Sequence, residues 1–428
     1  MKKILNDNKT KYYFLFIIIL ISFYRSPYIF LNSRFVAEEG SKYFVYAWEN
    51  GFLKGLFYFE NAAGYFNLIA NILVSTSSSI NIESSPFVTV YGSFIFILLP
   101  LYFILFRESE FFNTDLKKYI GSLLVFITPP FVPEVWVNSI NSQVYLCISA
   151  ITILFMINLN NFQKKINHMI IFIAGFSGVY TCCLLPLFFF NYFLKKNLYN
   201  LINLSVLFFS SVIQFYFIVL SKINNQLVEQ VLEADLDLDI MINYFYNIWA
   251  KPVFGRQITH FIWSYIILLI PQINYLYLFF IIFLIFIICF FYGYKNLSRI
   301  IIKDKVLIYL IYIFSIISIL VLVGAAGDYV GGRYAVIPGI TLLFIILHFA
   351  FEMQGRKIKI FFIILISISL ISGINEFRPP TKNVRHQYID YLDCNNCPEW
   401  KNEIKKWKNN NNHIIKIWPY PEKTMTLK

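Results

Sequence analysis

The chain has 428 residues, of which 58% are hydrophobic, 20% aromatic and only 14% charged. Soluble domains carry charges on about a quarter of their residues, so this composition excludes an ordinary soluble protein. The net charge of +12 does not indicate a nucleic-acid partner, because the basic residues lie in short loops between apolar runs. Runs of about 20 apolar residues can cross a bilayer as helices, and they predict an all-α polytopic membrane protein.

Eleven membrane-spanning helices are predicted, and the first of them lies close to the N-terminus. This first apolar run is longer than a signal-peptide core and no small-residue cleavage site follows it, so we expect it to be retained. In chain order, the predicted spans are residues 12–30, 86–106, 119–133, 142–159, a short pair within 167–194, 199–221, 272–294, 306–324, 335–351 and 358–374.

The distribution of basic residues predicts the orientation of these spans. Segments assigned to the cytoplasmic side carry 18 Lys and Arg residues, whereas the opposite loops before the tail carry seven. By the positive-inside rule, the N-terminus is cytoplasmic and the C-terminus lies on the outer side of the cytoplasmic membrane. One alternative stays open: if 167–194 crosses once, 257–294 could cross twice, and an acidic loop at 229–239 would face inward. Lys195 and Lys196 favour the first version.

Three predicted outer segments are long enough to build a site on a transmembrane domain, residues 1–374. They are the loops 31–85 and 222–271 and a C-terminal tail, 375–428. Aromatic residues at helical spacing in "SKYFVYAWENGFLKGLFYF" predict a helix in the membrane interface, and "AAGYFNLIANILVSTSSSI" is expected to be interfacial or re-entrant. The tail combines an amphipathic helix, "EWKNEIKKW", with a short strand, "HIIKIWPYP", and predicts a small extramembrane α/β unit.

Two adjacent carboxylates, Glu38 and Glu39, follow the first predicted span. Carboxylates at one site can bind a divalent cation, or the charge of one can keep the other protonated. Either arrangement suits a general base that activates a hydroxyl nucleophile. The alternative is a solvated acidic turn at the N-terminus of a helix that begins at Ser41, where acidic side chains are favourable.

Two further loops on the predicted outer side carry candidate residues. In "TPPFVPEVWVNSINSQ", Glu134 could complete a carboxylate cluster, or the segment could be a helix-breaking turn with an interfacial Trp136. In "GAAGDYVGGRYAVIPG", Asp328 and Arg333 lie among glycines whose N–H groups can approach an anion, and a guanidinium can hold a phosphate with two hydrogen bonds. The alternative role for Arg333 is an interfacial anchor.

Cys394 and Cys397 lie in the tail, where an oxidising compartment would allow a disulfide. A reduced pair or half of a metal site stays open as an alternative. The five histidines share no metal-ligand spacing, and the sequence has no phosphate-binding P-loop, so ATP-driven transport is not indicated.

The pattern resembles the GT-C class of membrane glycosyltransferases, in particular bacterial members linked to cell-surface glycopolymer synthesis. The segments that carry the resemblance are "RFVAEEGSKYF", "AAGYFNLIANIL", "PEVWVNSINSQ", "GGRYAVIPG" and "IWPYPEKTMTL". This chain has Glu-Glu where such enzymes often have an Asp in the pair.

The resemblance implies transfer of a sugar from a polyprenyl-phosphate-linked donor to a hydroxyl of a glycan, lipid or protein on the outer face. Glu38 or Glu39 would act as the general base or as ligands of a divalent cation, Mg²⁺ or Mn²⁺. The donor phosphate would be held by Arg333. The remaining residues implied to bind substrates are Tyr334, Glu134, Asp328 and Tyr65. The implied partners are the bilayer, the lipid-linked donor and the acceptor, with no nucleic acid.

Two other classes of function share this layout. A flippase or transporter would move a lipid-linked saccharide without making bonds, and it usually places charges along a cavity within the spans. Here the predicted spans are nearly free of charges apart from Arg25, and the acids cluster at the outer side. An O-antigen-type polymerase or ligase also combines many helices with large outer loops, but its arginine-rich large loop has no counterpart in this sequence.

The orientation is tested with reporter fusions. Alkaline phosphatase, which is active only outside the cytoplasm, should be active when fused after Lys428 and inactive when fused after Lys165. A fluorescent protein that matures in the cytoplasm should give the opposite pattern. The reverse activity at both positions would contradict the predicted topology.

Overall fold

The computed structural model describes residues 8–127, 135–224, 243–269, 304–324, 332–377, 398–418 and 423–428. This part of the chain is helical except for one small sheet near the C-terminus. Several predicted features lie outside the described residues: the span at 272–294, the carboxylates Glu134 and Asp328, and the Cys394–Cys397 pair.

The α-helices vary in length from one turn to seven. In chain order they are α1 (Asn8–Arg25), α2 (Pro27–Leu31), α3 (Val45–Asn50), α4 (Phe52–Leu56), α5 (Leu68–Ser78), α6 (Ser85–Phe106), α7 (Asp115–Ile127), α8 (Ser142–Leu154), α9 (Asn161–Gly175), α10 (Val179–Cys182), α11 (Leu185–Lys195), α12 (Leu198–Ile223), α13 (Lys251–Leu269), α14 (Lys305–Gly324), α15 (Val336–Glu352), α16 (Arg356–Phe377) and α17 (Trp400–Asn409). Two π-helical turns, Glu39–Phe44 and Phe245–Ala250, lead into α3 and α13.

Five helical segments among the described residues are long and apolar enough to cross a membrane. They are Ser85–Phe106, Leu198–Ile223, Lys305–Leu322, Gly332–Glu352 and Arg356–Phe377. This confirms an all-α, multi-pass membrane protein, while the total of eleven spans stays a prediction. The described boundaries lie within a few residues of the predicted ones because these windows are apolar throughout.

The first predicted span, 12–30, is two helices rather than one. Pro27 has no N–H group and its ring clashes with the preceding turn, so α1 ends at Arg25 and Pro27 begins α2. The buried Arg25 guanidinium lies 5.3 Å from the ring centroid of Trp136. The indole Nε1 of Trp136 donates a hydrogen bond to Ser26 Oγ at 2.9 Å, so the break is held by specific contacts.

The described chain divides into two compact units. In the first unit (1–109, 132–228 and 378–428), α6 packs against α5 and α8, and α12 packs against α9 and α11. Gln214 of α12 accepts a hydrogen bond from Phe66 N–H at 3.0 Å and donates to Phe66 O at 2.9 Å. A buried amide of this kind satisfies loop backbone groups that would be costly to leave unpaired.

The second unit comprises residues 110–131 and 229–377, and in it α15 packs against α14 and α16. Its charged contacts lie at helix ends: Lys117 Nζ is 3.2 Å from Glu352 Oε1, and His348 Nε2 is 2.7 Å from Asp304 Oδ2. The predicted loop 222–271 contains α13, whose chain bends at Gly255 (φ 75°). The polar residues in its first half interrupt the apolar run that would have indicated this helix.

The C-terminal tail packs on the first loop, residues 31–85. The apolar face of α17 contributes Trp400 and Ile404, and Trp400 Nε1 donates to Ile82 O at 2.8 Å. The short strands β1 (Ile415–Lys416) and β2 (Thr424–Met425) pair in antiparallel orientation beside α17. Together they form the loop–tail core, whose buried residues are Phe35, Tyr43, Phe44, Ala47, Ala70, Val74, Ile82, Ile140, Trp400, Ile404, Ile415, Ile417, Met425 and Leu427.

The predicted interfacial helix has its apolar side covered by this core, because Tyr43, Phe44 and Ala47 are buried in it. Large exposed apolar side chains occur instead in and after α4, where Leu53 is 71% and Phe57 is 78% exposed. The segment predicted to be interfacial or re-entrant forms α5, whose 11 residues are too few to cross a bilayer.

The stability of the loop–tail core can be tested at Trp400. Replacing a buried Trp by Ala costs about 3–5 kcal/mol, so Trp400→Ala should lower the unfolding temperature and expose the tail to protease. Ile414→Ala, at an exposed position in the same segment, should change stability by only about 0.5 kcal/mol or less. Equal protease sensitivity of the two variants would contradict the packing described.

Candidate functional site

A tight turn fixes the position of the predicted carboxylate pair. Ala37 adopts a left-handed conformation (φ 47°), and its N–H donates to Trp418 O in the tail at 2.7 Å. Gly40 lies so close to Phe35 that an added Cβ would be 2.8 Å from the Phe35 Cβ. A larger residue at Gly40 would therefore displace the turn. The backbone thus holds Glu38 and Glu39 between the first helices and the tail.

Glu39 is buried, with 1% of its surface exposed. One carboxylate oxygen accepts hydrogen bonds from Ser139 N–H, at 2.9 Å, and from Ser139 Oγ. The other oxygen accepts from Thr89 Oγ1 at 3.1 Å. Burial raises the pKa of Glu39 although these donors act in the opposite direction. Glu39 therefore links the turn to α6 and to the segment before α8, and it has no access to a substrate from solvent.

Glu38 points to solvent and to the tail. Its side chain is 45% exposed, and its Oε1 lies 2.7 Å from the Nζ of Lys423, whose side chain is 38% exposed. Surface ion pairs of this kind contribute about 0–1 kcal/mol, so another charged group can replace either partner. Of the two predicted catalytic residues, Glu38 is the one that a substrate can reach.

Aromatic residues of the first loop pack on one another, and one of them, Tyr43, lies within electrostatic range of Glu38. The rings of Tyr43 and Tyr58 meet edge to face at 5.1 Å, and Tyr46 lies 4.4 Å from Tyr58. The Tyr58 hydroxyl donates a short hydrogen bond to the Glu60 carboxylate. Burial and this hydrogen bond raise the pKa of Tyr58, so its phenol stays neutral.

Tyr65, predicted from the sequence, belongs to the same surroundings. Its hydroxyl accepts a hydrogen bond from Gln143 Nε2 at 3.0 Å. Burial raises the pKa of Tyr43, and the nearby Tyr65 and Glu38 raise it further, which shows that these groups lie within electrostatic range of one another. Tyr43, Tyr58 and Glu60 were missed by the sequence analysis. The aromatic run in "SKYFVY" and "YFENAAGYF" is the signal that could have indicated them.

Arg333 and Tyr334 lie in the second unit, in a 3₁₀ turn that leads into α15. The Arg333 guanidinium stacks over the Tyr334 ring at 5.0 Å, and its Nη2 donates to the Tyr334 hydroxyl at 3.0 Å. The neighbouring Tyr334 thus fixes the orientation of the Arg333 guanidinium.

The contacts of Glu38 and Glu39 do not fit the predicted site in which both carboxylates would bind a divalent cation. Both oxygens of Glu39 accept hydrogen bonds, and Glu38 is paired with Lys423. Within the described ranges, no group of three His, Cys, Asp or Glu side chains is placed to hold a metal ion. A cation on Glu39 would require the bonds from Ser139 and Thr89 to break.

No family of known proteins, no curated protein and no solved structure matches this chain. The similarity to GT-C glycosyltransferases therefore stays a prediction from the sequence, and the site's chemistry has to be argued from its own residues.

The raised pKa of Glu39 has a consequence for stability. Below about pH 4.5 the carboxyl is protonated in both the folded and unfolded chain, and as pH rises further, ionisation of the buried group costs stability. Glu39→Gln removes this cost. The unfolding temperature of the variant minus that of the unaltered protein should therefore increase from pH 4.5 towards neutrality.

The control is Glu39→Ala, which also removes the ionisable group but leaves the Ser139 N–H unpaired, so it should be less stable than Glu39→Gln by about 1–3 kcal/mol at every pH. A difference between the Gln variant and the unaltered protein that stays constant with pH would contradict the assignment of Glu39 as a buried, raised-pKa acid.

Proposed function

We propose that this chain is a membrane glycosyltransferase that uses a polyprenyl-phosphate-linked sugar as donor. The observation that supports this most directly is the division of roles between two neighbouring carboxylates. Glu39 is buried and both of its carboxylate oxygens accept hydrogen bonds, so it fixes the turn from which the reachable Glu38 projects, within electrostatic range of Tyr43. The acceptor is a hydroxyl of a cell-surface glycan, lipid or protein.

In the proposed reaction, Glu38 is the general base. Its carboxylate takes the proton of the acceptor hydroxyl as that oxygen attacks the anomeric carbon of the donor sugar. The bond between the anomeric carbon and the phosphate oxygen breaks, and the polyprenyl phosphate leaves with the bonding electrons. Glu39 is a positioning residue, since it acts through the backbone of the turn.

The tyrosine rings give the site a surface suited to sugars. The C–H faces of a pyranose pack against aromatic rings, and Glu60 and the Tyr65 hydroxyl supply polar groups for sugar hydroxyls. Phe59 packs on Phe217 of the span α12 at 4.3 Å. Phe57, two residues before Phe59, is exposed, and in this proposal the isoprenoid chain of the donor packs on it.

In the second unit, Arg333 stays the residue predicted from the sequence to bind a phosphate, because its planar guanidinium suits two parallel hydrogen bonds to phosphate oxygens. In this proposal Tyr334 orients the guanidinium through the stacking and hydrogen bond described above.

The flippase alternative has less support from the placement of charges. In the second unit, Lys117 lies in the first turn of α7, Asp304 precedes α14 and Glu352 ends α15. These groups stand at helix ends, whereas a saccharide-moving cavity is expected to have charged groups along the spans.

The test of the proposal is Glu38→Gln. General bases contribute about 10²- to 10⁴-fold to rate, so this variant should lose most sugar transfer to surface acceptors, measured by mass spectrometry of the glycan at equal protein level. Glu83→Gln is a matched control, because Glu83 is also partly exposed in the first loop and also pairs with a tail lysine, Lys408. Unchanged glycan in Glu38→Gln would contradict the proposed function.

A further inference from the structure

The tail places a lysine on the candidate base, and it holds that lysine by contacts of its own. The carbonyl of Lys423 accepts a hydrogen bond from Ile417 N–H at 3.4 Å. Lys423 directly precedes β2, and the side chains of Met425 and Leu427 are buried in the loop–tail core. The backbone of Lys423 therefore stays within reach of Glu38 whether or not the ion pair is formed.

Two other lysines of the tail, Lys406 and Lys408, pair with carboxylates other than Glu38. Lys406 pairs with the buried Glu403 of its own helix, and Lys408 pairs with Glu83 of the first loop. Glu403 also accepts hydrogen bonds from the Lys416 N–H and interacts with His413 at 3.0 Å, so it is fully engaged within the tail. The Lys423–Glu38 pair differs from these because its carboxylate is the candidate base and lies within electrostatic range of Tyr43.

This pair is suited to exchange. A half-exposed ion pair adds little to stability, because water competes for both charges. Lysine is a compact, flexible point charge and a common ligand of phosphate in proteins. A phosphate oxygen can take the place of the Glu38 carboxylate on Lys423 with little rearrangement, since Lys423 is held by its backbone.

We propose that Lys423 is a phosphate-binding residue whose ammonium group is occupied by Glu38 until a phosphate arrives. When a phosphate binds, the Lys423 ammonium group pairs with it, and the ion pair between Lys423 and Glu38 is broken. The binding step stands without the proposed glycosyl transfer. The second step, in which the released Glu38 accepts a proton from the acceptor hydroxyl, rests on the proposed function.

The exchange predicts opposite effects for the two partners of the ion pair. Lys423→Met removes the phosphate ligand and should weaken phosphate binding about tenfold or more. Glu38→Gln removes the competing carboxylate and should strengthen it by about two- to fivefold. If Lys423 had only a structural role, the two substitutions would not change the affinity for phosphate in opposite directions.

Binding is measured on the full chain in nanodiscs of phosphatidylcholine, with citronellyl phosphate as the lipid probe, citronellol as its neutral counterpart and inorganic phosphate as the free anion. Lys423→Arg should retain binding, and Lys408→Met, which removes another ion pair between the tail and the first loop, should bind like the unaltered chain. Tighter binding of citronellyl phosphate than of inorganic phosphate assigns the site to a lipid headgroup. Equal binding of the two assigns it to phosphate alone.

Unaltered binding of citronellyl phosphate by Lys423→Met would overturn the inference, as would an equal loss in Lys408→Met or equal binding of citronellol. Those results would leave the proposed function standing, because no sugar or acceptor takes part in the assay. Conversely, retained surface glycan in Glu38→Gln would overturn the proposed function while the binding results could still support Lys423.

Discussion

The hydrogen bonds that Glu39 accepts from Ser139 and Thr89 are the constraint on which the rest of the site depends. A carboxylate removed from water is costly, and here three donors offset a part of that cost. Because neighbouring side chains in the turn leave in different directions, burying Glu39 directs Glu38 to the surface. The same bonds join the turn to α6 and to the segment that leads into α8. The repulsion expected between adjacent carboxylates is thereby avoided.

The second constraint is the packing of the chain's last residues on its first loop. The loop–tail core brings Trp400 against Phe35, with ring centroids 5.1 Å apart, and lets the Trp418 carbonyl accept from the turn that carries the carboxylates. Packing the tail on the first loop closes the whole chain segment between them. The entropic cost of this closure grows only slowly with the length of the segment, and burial of apolar side chains offsets it. The tail is thus a part of the candidate site, and it contributes a cation to it.

Local patterns in the sequence predicted the five long apolar helices well and the long-range contacts poorly. Ser85–Phe106, Leu198–Ile223 and Arg356–Phe377 follow from apolar windows that need no partner to be recognised. The break before Pro27 could have been anticipated from the proline itself. The packing of the tail on the first loop could not, because it depends on contacts between residues more than 300 positions apart.

The candidate site shows the same difference between features that follow from local sequence patterns and features that depend on long-range contacts. The carboxylate pair was predicted as a site from its residue types and its position after a span, whereas Tyr65 was predicted from the resemblance to GT-C enzymes. The separate roles of Glu38 and Glu39 were not predicted, since the donors to Glu39 are 50 and 100 residues distant in sequence. Adjacent carboxylates have the same local signal whether or not one of them becomes buried.

The central claim is that this protein transfers sugar from a lipid-linked donor on the outer face of the membrane. The most direct measurement compares cells with and without the chain for surface glycan composition and for lipid-linked saccharide that an impermeant glycosidase can reach from outside. The account predicts that, without the chain, one sugar is lost from the surface glycan and its lipid-linked donor accumulates in a form accessible to the glycosidase. Intact glycan, or accumulation of donor protected from the glycosidase, would contradict it.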